Sequence, residues 1–196
     1  MRLCMFSPRD RELERGWPGR IEGDRVLQLA AQTLQSFFTG GGHAREHAEY
    51  ALADIVLLAP VLHPPSVRIF DGQQDFRFAN PAAIVAADAE VPLPAGASQL
   101  LPVRRRAAIV GAEGAIGGFT GLVEWTAPEL PGEKARDFAL ALGPVVTTPD
   151  EGIPPGVDWE RLLACASANT RLHPGAVLAA PGEEISDTVS RGATPA

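Results

Sequence analysis

The sequence predicts a β-rich α+β protein, and three observations support this fold class. Glycine and proline (20 and 18 of 196 residues) make up nearly a fifth of the chain, which favours many short strands joined by turns. Short apolar runs lie between these residues. Strands and helices do not alternate as they do in a parallel βαβ fold. With 45% hydrophobic residues, the chain can bury the core of one domain.

The first sixty residues contain a hairpin and two helical patterns. Residues 19–30 predict two strands joined by a Glu-Gly-Asp turn. Residues 31–42 predict a short helix that ends at three glycines. Residues 43–60, HAREHAEYALADIVLLAP, predict an amphipathic helix that runs into an apolar strand.

The remainder of the chain contains mostly strand patterns. Asp158 is an N-cap residue, and it predicts that a helix follows over 158–169. Further elements are expected from apolar runs bounded by glycine or proline. These are strands within 76–96, 106–110, 117–125, 145–151 and 172–182, and a short helix over 132–143.

Composition excludes several classes of protein. The formal net charge of −7 argues against sequence-independent binding of nucleic acid, which needs a basic face. No apolar run approaches the ~18–20 residues of a membrane span. The N-terminus is charged at once and lacks the apolar centre of a signal peptide, so we expect a cytoplasmic protein. Cys4 and Cys165 have no metal-binding spacing and are expected to be reduced thiols, although a bridge between them is left open.

Histidines and carboxylates are concentrated near residue 45. On a helix, His43, Glu46 and His47 would share one face, with the spacing of a metal site or an acid–base pair. A solvated helix face is the alternative. His63 and His173 each precede a proline and are interpreted as turn residues.

Three consecutive arginines enter the strand at 106–110. Side chains alternate along a strand, so Arg104 and Arg106 are expected on the face opposite Arg105. Guanidinium groups bind carboxylate or phosphate bidentately, which makes a ligand site one interpretation. A charged strand end at the surface, or at a subunit contact, is the other.

A second group of charged residues follows the strand at 117–125. Glu124 lies beside Trp125 near the strand end, where a partly buried carboxylate could bind a metal or act as a base. Lys134 and Asp137 are one helical turn apart, which is also the spacing of an ordinary salt bridge.

The segment GGFTGLVEWTAPEL, with EKARDFALALGPVVTTPDE after it, resembles the fumarylacetoacetate hydrolase family. The upstream segments FRFANPAAIV and AAIVGAEG and the downstream LLACASANTRLHPGAVLAAPG resemble the family in the same order. The resemblance covers roughly 52–182. The residues of the first two segments that match directly are Gly118, Phe119, Thr120, Trp125, Ala127, Lys134, Asp137, Phe138, Ala139, Leu142, Gly143, Pro144, Asp150 and Glu151.

The resemblance implies a mixed β-roll and a dimer. It implies Mg²⁺ or Mn²⁺ held by carboxylates, with an acylpyruvate or β-diketo acid bound to the metal for C–C hydrolysis, decarboxylation or isomerisation. It divides the chain into an N-terminal region (1–51), a truncated family domain (52–182) and a flexible tail (183–196). The candidate site residues are Lys134 for catalysis, Arg105, Gly143 and Pro144 for substrate binding, and Glu124 for metal binding.

The chain departs from the family pattern at the metal site. The family's Glu-x-Glu pair falls on Val103 and Arg105, its aspartate falls on Glu124, and its histidine segment is shortened to DGQQDF. The late Ser-Gly-Thr falls on 180–182, and the stretch between Glu151 and Asp158 is much shorter than in the family. A hard divalent cation needs several oxygen ligands, so no cofactor is expected unless the family site is retained.

Two hypotheses follow from these departures. The first is a catalytically impaired scaffold or regulatory partner, forming a homodimer or a heterodimer with a related chain. The second is an enzyme or small-molecule binder for a keto acid, in which Arg105, Lys134 and Glu124 act without the usual metal.

Overall fold

The computed structural model describes residues 1–72 and 74–184, and its fold class agrees with the sequence. Strands hold 39% of the described residues and helices hold 17%. The strands form a single open, mixed sheet, so the prediction of a β-rich α+β fold is confirmed.

Five strands lie in the first sixty residues and five in the centre of the chain. The first five are β1 (Arg2–Pro8), β2 (Trp17–Glu22), β3 (Arg25–Leu29), β4 (Glu46–Ala51) and β5 (Ile55–Leu58). The next five are β6 (Val67–Phe70), β7 (Phe76–Ala79), β8 (Ile84–Ala86), β9 (Leu101–Val110) and β10 (Ile116–Thr126). The last four are β11 (Leu140–Leu142), β12 (Val145–Thr147), β13 (Val177–Ala179) and β14 (Glu183–Glu184).

Two α-helices and five short 3-10 helices connect the strands. Helix α1 (Leu34–Thr39) begins with a capping box, in which Thr33 and Ser36 bond each other's backbone. Helix α2 (Trp159–Ser167) begins where the Asp158 side chain accepts from the Arg161 N–H, as the sequence predicts. The 3-10 helices are Leu52–Asp54, Pro81–Ala83, Ala112–Gly114, Gly132–Ala135 and Pro149–Glu151.

The main path of the sheet runs β4-β3-β2-β1-β12-β10-β9-β13-β6-β7. The strands of 1–51 belong to this sheet, because β1 pairs with β12 as well as with β2 and β5. At the other end of the chain, β14 pairs with β9. The tail predicted for 183–196 otherwise lies outside the described residues.

Two of the apolar cores lie on opposite faces of β9, and each includes one α-helix. Alternate residues of β9 divide between them: Ala107 and Ile109 pack in the core that includes α1, and Ala108 and Val110 pack in the core that includes α2. The α1 face matters for the site, because Arg105 lies two residues before Ala107 on β9 and its side chain therefore points to the same face. Arg105 therefore projects from the end of a buried apolar surface.

Two predicted helices are wrong. Residues 46–51 form strand β4, which pairs with β3 and alternates in exposure. Cross-strand ion pairs of Arg20 with Glu46 (2.5 Å) and of Arg25 with Glu49 (3.2 Å) contribute to this arrangement, and pairing with β3 overrides the helical spacing. Residues 132–143 form a single 3-10 turn and then β11, because the apolar run at its end packs in the sheet.

Both cysteines are free thiols. Cys4 is buried in β1, and burial raises the pKa of its thiol to about 12. Cys165 is half-buried on α2. Among the described residues, no helix is both long enough and apolar enough to cross a membrane.

Candidate functional site

The register of β9 and β10 brings together the three positions at which the resemblance places metal ligands. Glu124 lies directly opposite Val103, and Arg105 is two residues further along β9. Opposed residues of an antiparallel pair, and residues two apart on one strand, share a face of the sheet. Val103, Arg105 and Glu124 therefore lie side by side on the α1 face.

Glu124 is a buried carboxylate that two arginines hold. Its side chain is 1% exposed. Arg105 donates from Nε to Glu124 Oε2 at 3.0 Å, and its Nη2 lies 2.9 Å from the same oxygen. Arg77 donates from Nη2 to the other oxygen, Oε1. Both carboxylate oxygens are thus engaged by guanidinium groups.

The β6–β7 hairpin supplies two residues that the sequence analysis missed, Asp71 and Arg77. The pairing of Ile69 with Arg77 places this arginine on the α1 face. Asp71, in the turn, accepts from Arg105 Nη2 at 2.9 Å and from Arg77 Nε at 3.3 Å. The segment DGQQDF, which lacks the family's histidine, thus places the Asp71 carboxylate at the site, and Arg77 directly after it adds a guanidinium group. The signal was present in the Asp-Gly turn between two alternating strands.

We name Asp71, Arg77, Arg105 and Glu124 the arginine–carboxylate cluster. Its two guanidinium groups and two carboxylates balance in formal charge. The side chain of Arg105 is 6% exposed, that of Arg77 is 20% exposed, and that of Asp71 is 58% exposed. The planar guanidinium suits this buried position, because it presents several fixed donors to carboxylate oxygens.

The segment 180–182, where the resemblance expects substrate binding, packs directly on Arg105. Arg105 Nη1 donates to the carbonyl of Ala180 at 3.3 Å and to that of Phe70 at 3.0 Å. A Cβ on Gly182 would lie 2.6 Å from Arg105 Cγ and 2.9 Å from Val103 Cγ1, so only glycine fits. Every nitrogen of the Arg105 guanidinium therefore has a partner.

These residues do not fit a divalent cation. Mg²⁺ and Mn²⁺ require several oxygen ligands, and Mg²⁺ requires near-octahedral geometry. Val103 offers no donor, Arg105 is itself a cation, and both oxygens of Glu124 are occupied. In the described part of the chain, no group of three or more histidine, cysteine or acidic side chains is placed to hold a metal.

Lys134 lies on an exposed 3-10 turn, and it makes no hydrogen bond or ion pair to the cluster in the described part of the chain. Its side chain is 75% exposed, and Nζ lies 2.7 Å from Asp137 Oδ2. This is the ordinary salt bridge that the spacing allowed. The amide of Asn80, at the end of the β7 segment, donates to the Asp137 carbonyl at 2.9 Å. The catalytic role of Lys134 stays a prediction.

Gly143 and Pro144 lie further along the sheet. The Gly143 N–H donates to the Gly121 carbonyl at 3.0 Å, three residues before Glu124 on β10. Pro144 lines a separate cavity of about 480 Å³, together with Arg9, Leu52 and Asp88. Their substrate-binding role stays a prediction.

The histidine pattern near residue 45 does not form a compact site. Strand β4 places Glu46 and His47 on opposite faces, and Glu46 pairs with Arg20. The prediction that His43, Glu46 and His47 share one helix face is therefore wrong, since its premise, a helix, is replaced by a strand.

Known structures share this architecture. Maleylpyruvate hydrolase from Sphingobium sp. SYK-6 matches with a TM-score of 0.74 at 20% identity, covering 95% of this chain and 92% of that one. The chain has the fumarylacetoacetate hydrolase-like fold. No family model and no curated protein matches the sequence.

Two further structures of this fold extend the comparison. 5-Carboxymethyl-2-hydroxymuconate delta-isomerase from Mycobacterium smegmatis matches with a TM-score of 0.74 at 19% identity, covering 97% of this chain and 90% of that one. The Sphingobium hydrolase in complex with manganese(II) ion and pyruvate matches with a TM-score of 0.70 at 18% identity, covering 97% of this chain and 98% of that one. Because the chain spans nearly the whole of these structures, it is not markedly shortened relative to them.

Replacing a single charged residue of the cluster is expected to destabilise the protein strongly. Arg105→Met or Glu124→Leu alone leaves an uncompensated buried charge, and each should lower the free energy of unfolding by about 3–5 kcal/mol. The triple variant Arg77→Met, Arg105→Met, Glu124→Leu should lose less than either single variant, because no buried charge is left unpaired. Urea unfolding measures all three. Arg104→Met, on the opposite and exposed face of β9, is the control. A loss in the triple variant equal to the sum of the single losses would contradict the dependence of the three residues on one another.

Gly143 is expected to resist substitution for a backbone reason. Its φ is +99°, and an added Cβ would lie 2.5 Å from Pro60 Cδ, so Gly143→Ala should destabilise the protein by about 1–3 kcal/mol. Gly121→Ala is the matched control, since its Cβ would meet nothing closer than 3.9 Å. Thermal and urea unfolding compare the two variants. Equal stability of the two would show that the strain at Gly143 is absent.

Proposed function

We propose that this chain is a divergent fumarylacetoacetate hydrolase-family protein that has exchanged the family's metal site for an arginine–carboxylate cluster. In this proposal it no longer performs metal-dependent C–C bond chemistry on acylpyruvates or β-diketo acids. It serves instead as a cytoplasmic scaffold or regulatory partner, as a homodimer or with a related chain.

The observation that carries the proposal is the pairing of Arg105 with Glu124 at 2.9–3.0 Å in a buried position. Metal binding at Glu124 would first require the removal of two guanidinium groups from its oxygens. A divalent cation beside Arg105 would also experience like-charge repulsion in a region of low dielectric constant. Both effects oppose the binding of the ion that the family chemistry requires.

Two neighbours of the same fold that contain a metal support the proposal by contrast. One is a hydrolase in complex with manganese(II) and pyruvate, and another is 2-keto-3-deoxy-D-arabinonate dehydratase complexed with magnesium and 2,5-dioxopentanoate. For this chain, we propose that Arg105 and Arg77 supply the positive charge that neutralises Glu124. The guanidinium groups neutralise a carboxylate as a cation does, but they offer no open coordination position to polarise a substrate oxygen.

The competing enzyme hypothesis has less support from the geometry. It needs Glu124 as a free base and Lys134 as an acid at one cavity. Glu124 accepts from two arginines, and Lys134 is exposed and paired with Asp137. Neither group is available for proton transfer in this arrangement.

The experiment combines metal binding with activity. The purified chain should show no Mn²⁺- or Mg²⁺-dependent cleavage of an acylpyruvate and no rise in melting temperature with either metal. The variant Val103→Glu, Arg105→Glu places three carboxylates on one face, and its melting temperature should rise with Mn²⁺ because a bound ion stabilises the folded state. Metal-dependent turnover by the unmodified chain would disprove the proposal, whatever the variant does.

The partner proposal has its own measurement. Light scattering on the 20.7 kDa chain should give a dimer mass, either alone or after coexpression with a family member that keeps the three carboxylates. A dimer formed only on coexpression would identify the heterodimer. A monomer under both conditions would remove the partner from the proposal and leave the metal result untouched.

A further inference from the structure

The solvent side of the arginine–carboxylate cluster is closed by a single exposed carboxylate. Asp71 places one oxygen on each guanidinium, Oδ1 at 2.9 Å from Arg105 Nη2 and Oδ2 at 3.3 Å from Arg77 Nε. The carboxylate bridges the two arginines as a bound anion would. We propose that Arg77 and Arg105 form a binding site for a small organic monocarboxylate, and that Asp71 fills this site from within the chain.

The charge of the buried residues requires an anion at this position. Arg77, Arg105 and Glu124 together carry a net charge of +1, and their side chains are 20%, 6% and 1% exposed. Among the described residues, Asp71 is the carboxylate that pairs with both arginines on the open side. Without an anion there, one partly buried positive charge would be uncompensated, which is unfavourable in a region of low dielectric constant.

The ion pairs of Asp71 with the two arginines are expected to be weak. Its side chain is 58% exposed, and it lies in the hairpin turn beside Gly72. Ion pairs of exposed side chains contribute little to stability, because water solvates the separated charges almost equally well. A carboxylate from solution can therefore replace the Asp71 carboxylate with the same two contacts. Glu124 is not exchangeable in this way, since it is buried, and it positions both guanidinium groups from behind.

One buried nitrogen of the cluster lacks an acceptor among the described residues. Among residues 1–72 and 74–184, Arg77 Nη1 is buried and has no hydrogen-bond partner, whereas each nitrogen of the Arg105 guanidinium is bonded. A buried donor without a partner is uncommon and unfavourable. Arg77 is therefore less completely bonded than Arg105.

The charge and the geometry select a carboxylate rather than a phosphate. A net charge of +1 matches a monoanion, and a planar two-oxygen group places one oxygen on each guanidinium. A phosphate dianion would leave the cluster with an excess negative charge. The inference deepens the proposed function, because it rests on a cluster that holds no metal.

The test compares acetate binding by the unmodified chain, Asp71→Asn and Asp75→Asn. Asp75 is an exposed acid of the same turn, so its variant removes the same formal charge without releasing the arginines. Removing the internal competitor should tighten acetate binding about fivefold or more in Asp71→Asn, but not in Asp75→Asn. Calorimetry gives the affinity, and the Arg77 Nε–H resonance in nitrogen-15 NMR should shift with acetate.

The outcomes separate this inference from the proposed function. Equal affinities in the three proteins, or an equal gain in both variants, would overturn the carboxylate site. Inorganic phosphate that binds Asp71→Asn more tightly than acetate would overturn the choice of ligand. All titrations use buffer freed of metals on a chelating resin, so that the result is independent of whether added Mn²⁺ binds the unmodified chain.

Discussion

The charge of Glu124 is the constraint on which the rest of the site depends. An ionised carboxylate that is 1% exposed is tolerated only when donors surround it closely, because its loss of hydration is large. The neighbouring strand provides Arg105, and the β6–β7 hairpin provides Arg77. Arg105 is itself buried and Arg77 is partly buried, so both need further acceptors. Backbone carbonyls at Phe70 and Ala180 and the carboxylate of Asp71 supply these.

The sheet determines which residues can take part. Antiparallel pairing of β9 with β10 sets Arg105 diagonally across from Glu124, and the β6–β7 register turns Arg77 toward the same face. The small residue Gly182 lets β14 approach Arg105 closely. The cluster is thus assembled from three segments, the β6–β7 hairpin, β9 and β10. A shift of one residue in the pairing of β7, β9 or β10 would turn its side chain to the opposite face.

The sequence was informative where local pattern and tertiary structure agree. The Asp158 cap, the hairpin at Gly23 and the strands at β9 and β10 were predicted from turn residues and alternation. Strand β4 was not, because Glu46, His47 and Glu49 have a helical spacing that pairing with β3 overrides. At the site, Arg105 and Glu124 were candidates from their strand positions, and the family resemblance placed both at its metal site. Asp71 and Arg77 were missed, because their contacts join strands that are far apart in the chain.

The way the cluster is divided between strand and hairpin has an evolutionary consequence. Arg105→Glu alone would set three carboxylates against Arg77, and loss of Arg77 alone would leave an oxygen of Glu124 without its donor. Stepwise substitution of these residues by metal ligands would therefore pass through intermediates that carry an unbalanced buried charge. Such intermediates lose a large part of the small stability that proteins possess. Selection for a folded chain alone would thus preserve the pairing of the two arginines with Glu124 and Asp71, whatever the function of the protein.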